Sequence, residues 1–110
     1  MTALEIDNTT KNIVARLCAE YAPEKIILFG SFARGAAQGD SELDFLIIKD
    51  TRDRLIDRWV TVRRILSDPD RNVAIDTLVL TPAEISERLA CGDQFIREIM
   101  ETGEVLYAAS

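Results

Sequence analysis

The chain reads as an α/β domain, a small sheet covered by helices. Short apolar runs at 25–29, 43–49 and 73–80 have the length of strands and alternate with longer segments of helical periodicity. Proline and glycine fall between those segments, where turns belong. With 110 residues and no repeat, low-complexity tract or linker, residues 1–110 are expected to form one domain.

The elements follow in order. Residues 9–21 carry Ile13, Val14, Leu17, Cys18 and Tyr21 at helical spacing, and Asp7 to Thr10 offer caps. Ala22-Pro23 stops that helix, because the residue before proline avoids helical geometry. Lys25–Phe29 is a continuously apolar strand, and Ser31 to Arg34 should open a brief helix that Gly35 ends. Ala36 to Ser41 is expected to be loop, and Leu43–Lys49 the second strand. Residues 51–67 alternate charged and apolar positions, so Leu55, Trp59, Val62 and Leu66 form the stripe expected to face the sheet. Ser67-Asp68-Pro69-Asp70 is a turn and Val73–Leu80 the third strand. Thr81-Pro82-Ala83-Glu84 combines a capping box with proline at the first helical position. The helical region it opens should run to about Met100, broken near Gly92. Gly103 ends it, and Val105–Tyr107 is expected as a short last strand.

Composition narrows the function classes. The chain is 47% hydrophobic, enough for a core without staples. Cys18 and Cys91 lie far apart within apolar helical patterns and read as buried free thiols. With no histidine, zinc sites and general bases that rely on one are excluded. No apolar stretch approaches a membrane span, and Met-Thr-Ala-Leu-Glu-Ile-Asp does not resemble a signal peptide, so no membrane association and a cytoplasmic location are expected. A net charge of −6, with arginines scattered among aspartates, argues against a polymeric nucleic-acid partner. A single nucleotide carried with a divalent cation stays open, because the metal neutralises the phosphates.

The chemistry lies in acids placed where apolar residues dominate. Glu42 and Asp44 open the second strand, and Asp76 interrupts the third. Charged groups are seldom buried unless paired or bound to a metal. Residues two apart on a strand share a face, about 6.6 Å apart along it, so Glu42 and Asp44 can converge while Leu43, Phe45 and Ile47 point into a packed layer. Magnesium favours a few carboxylates together with substrate phosphates, and paired metals can clamp both oxygens of a phosphoryl displacement. Asp76 could complete the cage or take a proton from an incoming hydroxyl. Bland readings compete: a polar strand start meeting solvent for Glu42, and pairing with Arg63 or Arg64 for Asp76. Gly30-Ser31 lets the backbone approach a phosphate and offers amides and a hydroxyl; its bland reading is a strand-to-helix turn with a serine cap.

Gly30-Ser31-Phe32-Ala33-Arg34-Gly35, then Ser41-Glu42-Leu43-Asp44-Phe45, then Asp76 within Val73–Pro82, resembles the minimal nucleotidyltransferases of the polymerase beta superfamily. The resemblance covers most of the chain and implies that family's fold, with a small mixed sheet flanked by helices. It implies Glu42, Asp44 and Asp76 as magnesium ligands and catalytic residues, and Gly30 and Ser31 as binders of ATP or another nucleoside triphosphate. Arg34 falls on the family's Ala-Arg-Gly element, where it either touches phosphate or braces the loop. One residue departs: the family's first carboxylate is normally aspartate, and here it is Glu42. Asp40 is a poor replacement, about 13 Å from Asp44 along an extended chain. The resemblance further implies a protein adenylyltransferase, an antitoxin paired with a small helical HEPN-type toxin whose tyrosine accepts AMP. The alternative is a weak or inactive module that neutralises or regulates a partner by contact. Modification of a small molecule is a third, less favoured expectation.

Overall fold

The computed structural model describes residues 2–37 and 41–110, so the expectations for Asp40 and for the middle of the 36–41 loop lie outside the described residues. Helix α1 spans Ala3–Glu20. It begins well before the expected start because Thr2 and Glu5 form a capping box, with the Thr2 hydroxyl accepting from the Glu5 amide at 3.1 Å. The cap candidates Asp7 to Thr10 are therefore inside the helix, and the Thr10 hydroxyl donates back to the Ile6 carbonyl at 2.8 Å. Ala22, ahead of Pro23, takes a φ of +49° as the chain leaves α1.

Strand β1 (Lys25–Phe29) matches expectation residue for residue. Residues 31–35 form a turn and not the expected helix, held by Arg34 N to Gly30 O at 3.2 Å and Ala36 N to Ser31 O at 2.9 Å. Then follow β2 (Leu43–Ile48), α2 (Leu55–Ile65), β3 (Ile75–Leu80), α3 (Pro82–Ala90), α4 (Gln94–Thr102) and β4 (Glu104–Ala108). The sheet order is β3-β2-β1-β4, with β2 and β3 parallel and the other pairs antiparallel. A parallel neighbour requires a crossover, which α2 supplies.

Helices cover both faces of this mixed sheet. Leu43, Phe45, Ile47, Ile26 and Leu28 meet Ile13 and Leu17 of α1 together with Val62 and Leu66. Ile27, Leu46, Ile48 and Leu80 meet Ile85 of α3 and Ile96 and Ile99 of α4. Burial on both sides explains why β2 is continuously apolar after its acids. Thr81 and Glu84 form the expected capping box, and Asp93 caps α4 by accepting from the Ile96 amide at 3.1 Å. The break between the two helices falls at Gly92, where φ is +80°.

Helix α2 is rotated from expectation. Val62 and Leu66 are buried as expected, but Leu55 and Trp59 are 47% and 43% exposed. Arg58 turns inward instead. Its guanidinium donates to Glu84 at 2.7 Å, to the Val79 carbonyl at 3.2 Å and to the Asp53 carbonyl at 2.8 Å. Arg63 likewise donates to the Ile75 carbonyl at 2.8 Å. The two arginines thus reach backbone acceptors along the edge strand β3, which would otherwise offer an unpaired ladder. Leu55, Ile56, Trp59 and Val60 remain as an exposed apolar surface. Cys91 is also exposed, contrary to expectation, because it caps the C-terminal end of α3; Cys18 is partly buried, and both thiols are free. No helix among the described residues is long and apolar enough to cross a membrane.

Candidate active site

Strand register brings the acids together. Asp44 pairs with Asp76 across the parallel β2–β3 ladder, so the two side chains share a face. Glu42 lies two residues before Asp44 on the same face, at the mouth of β2. One carboxylate oxygen from each of the three lies within 4.8 Å of the others. Asp76 therefore joins the other acids, and Arg63 binds the neighbouring Ile75 carbonyl.

This arrangement is electrostatically costly without a cation. The Asp44 carboxyl is held above its ordinary pKa, first by burial and then by the charges of Asp76 and Glu42, with Arg34 opposing. Three hard oxygen donors, with no thiol or imidazole among them, fit a divalent cation such as magnesium.

Gly30 closes the site against β1. Its φ of +79° lies in the left-handed region, and a β-carbon there would collide with the Asp44 carboxylate. Ser31 is half-buried in the turn that follows. Because that turn is not a helix, it lends an anion no helix dipole, only local amides and the Ser31 hydroxyl. Arg34 is exposed and lies close enough to Asp44 to favour its charged form.

A pocket of about 230 Å³ adjoins Asp44, lined by Gly30, Arg34, Phe29, Phe95, Glu98 and Thr102 among others. Phe29 and Phe95 meet edge to face, with centroids 5.7 Å apart. Sequence reasoning assigned none of Phe29, Phe95, Glu98 and Thr102 to this site. The available signal was the spacing of Phe95, Glu98, Ile99 and Thr102, which puts them on one side of α4; without the fold, nothing in that spacing marks a pocket.

The family described as Polymerase beta, Nucleotidyltransferase matches residues 11–110. The chain belongs to this nucleotidyltransferase family. The fold agrees. A candidate nucleotidyltransferase from Sulfolobus solfataricus superposes with a TM-score of 0.59 at 25% identity, over 76% of this chain and 75% of that one. A toxin–antitoxin structure with AMP-PNP superposes with a TM-score of 0.55 at 18% identity, over 91% of this chain and 74% of the other. No curated protein is significantly similar in sequence.

Proposed function

We propose that this nucleotidyltransferase uses magnesium to transfer AMP from ATP to a hydroxyl, specifically a tyrosine of a small helical HEPN-type toxin, and so acts as its antitoxin. The observation that carries the reading is the convergence of Glu42, Asp44 and Asp76 within 4.8 Å beside the Gly30-Ser31 turn. The toxin–antitoxin structure with AMP-PNP, similar in fold, supports the choice of partner and nucleotide. So does the exposed apolar surface of α2, Leu55, Ile56, Trp59 and Val60, which suits a helical protein.

The reaction joins the acceptor oxygen to the α-phosphorus and breaks the bond from that phosphorus to the bridging oxygen, releasing pyrophosphate. Bound magnesium would neutralise charge developing on the phosphate oxygens. Glu42, Asp44 and Asp76 would together hold the cation. Asp76, exposed on the edge strand β3, would also be the carboxylate that takes the hydroxyl proton of the acceptor. Gly30 and Ser31 position the triphosphate, and Arg34 neutralises part of its charge. The chain acts in the cytoplasm, as one domain.

A second reading is favoured by Glu42 itself. Its extra methylene against the usual aspartate gives magnesium a looser ligand, which suits a module that binds a partner without transferring anything. Incubation with the product of the adjacent reading frame and ATP labelled at the α-phosphate separates the two. The enzymatic reading expects magnesium-dependent label on a partner tyrosine, lost by orders of magnitude in Asp44→Ala, with Glu42→Asp increasing transfer. Label that appears only in Glu42→Asp makes the natural chain a binding module. No transfer by either, with partner and metal-nucleotide bound, refutes the enzyme.

A further inference from the structure

The lining of the pocket beside Asp44 combines two chemical characters. Gly30, Arg34 and Asp44 supply polar groups and backbone. Phe29, which pairs with Asp44 across β1 and β2, and Phe95 supply aromatic rings, with Glu98 one helical turn beyond Phe95. At about 230 Å³ the space is smaller than the ~300–1,000 Å³ of ordinary ligand pockets. It suits part of a ligand whose remainder lies in the open carboxylate site.

Phe95 is unusual among the apolar residues of α4. Ile96 and Ile99 are buried, whereas Phe95 is 52% exposed. Its contact with Phe29 has the rings at 83°, an edge-to-face arrangement, and its exposure leaves ring surface that a flat ligand can cover. A flat aromatic ligand gains from such a surface whatever its sequence of ring atoms. Glu98 is exposed and, when ionised, only accepts hydrogen bonds. Its natural complement is an N–H donor on the rim of a stacked base.

We propose that this pocket seats the nucleobase against Phe95 and Phe29, and that Glu98 selects a base carrying an exocyclic amine, as adenine does. The inference rests on the nucleotide-binding reading above and adds base recognition by residues outside the carboxylate site. Adenine presents an amine where hypoxanthine presents a keto oxygen, so ATP and ITP differ at the atom that Glu98 is assigned to read.

Calorimetric titration of the full chain with magnesium and four probes tests it: AMP-PNP, inorganic tripolyphosphate, ATP and ITP. The native chain should bind AMP-PNP about 10- to 100-fold more tightly than tripolyphosphate, the value of one aromatic stack. Phe95→Ala should collapse that ratio towards one, and Phe95→Leu, which keeps apolar bulk without a π face, should leave it intermediate. Glu98→Gln should erase a preference for ATP over ITP. A native ratio near one, or a ratio that Phe95→Ala leaves intact, overturns the base pocket while the metal–phosphate site stands. An unchanged ATP preference in Glu98→Gln overturns the role of that carboxylate. If neither AMP-PNP nor tripolyphosphate binds, the nucleotide reading itself falls, and the pocket assignment with it.

Discussion

Replacing Asp44 with asparagine should make the metal-free protein more stable and make it indifferent to magnesium. The three carboxylates lie within 4.8 Å of one another, and Glu42 and Asp76 are exposed. At that distance two unit charges repel by about 0.9 kcal/mol in water and about 3.5 kcal/mol at an effective dielectric of 20. Exposure places these pairs nearer the lower figure. Asp44→Asn removes two such repulsions and loses one attraction to Arg34, leaving a net gain of about 1 kcal/mol. In a chain of this size that raises Tm by roughly 3–5 °C in EDTA. Magnesium at a hundred times its Kd should then add about 2.7 kcal/mol to the native protein and nothing to the variant, so the order of the two melting curves reverses. Differential scanning calorimetry with EDTA and with magnesium reads both effects. A variant that is less stable in EDTA, or that magnesium stabilises as much as native, would refute the reasoning.

The remaining predictions concern the scaffold. Glu84→Ala removes a capping box and leaves the Arg58 guanidinium, whose side chain is only 7% exposed, without its carboxylate; because Glu84 itself is one-third exposed, the expected loss is about 2–4 kcal/mol by urea denaturation, and a loss under about 0.5 kcal/mol would show that the pair is incidental. The Arg58 hydrogen bond holds the Glu84 carboxyl below its usual pKa, so its stabilising contribution is complete above the ordinary glutamate value and falls away as pH drops from there through the lowered native value. Asp44 has the opposite sign: its raised native pKa means that the metal-free protein loses stability as pH rises from the ordinary aspartate value through the raised one, a slope that Asp44→Asn should abolish. Gly30→Ala combines a left-handed φ with a collision against Asp44, and should cost at least 1–2 kcal/mol and weaken magnesium binding, read by melting with and without the metal.

Much of this was legible in the residues. β1 was readable as a five-residue apolar run because both of its faces are buried, and the Thr81–Glu84 box marked the start of α3 without tertiary help. The acids stood out because they occupied strand positions where apolar residues were expected; their convergence then needed a parallel β2–β3 pairing, which sequence does not specify. The start of α1 was missed because Asp7 to Thr10 offered stronger-looking caps than Thr2. The rotation of α2 was hidden by a contact across 26 positions, Arg58 to Glu84, which outweighs the apolar stripe through Leu55 and Trp59. Phe95 and Glu98 were illegible for the same reason, since their pocket exists only once α4 lies beside β1 and the Gly30 turn.

The central claim is that Glu42, Asp44 and Asp76 together hold the cation that carries a nucleoside triphosphate. A crystal structure of the chain with magnesium and AMP-PNP tests it most directly. The account predicts a metal bound by at least two of these carboxylates and by phosphate oxygens, with the triphosphate against Gly30 and Ser31. A nucleotide bound elsewhere, or a metal that leaves Asp44 and Asp76 unligated, would contradict it.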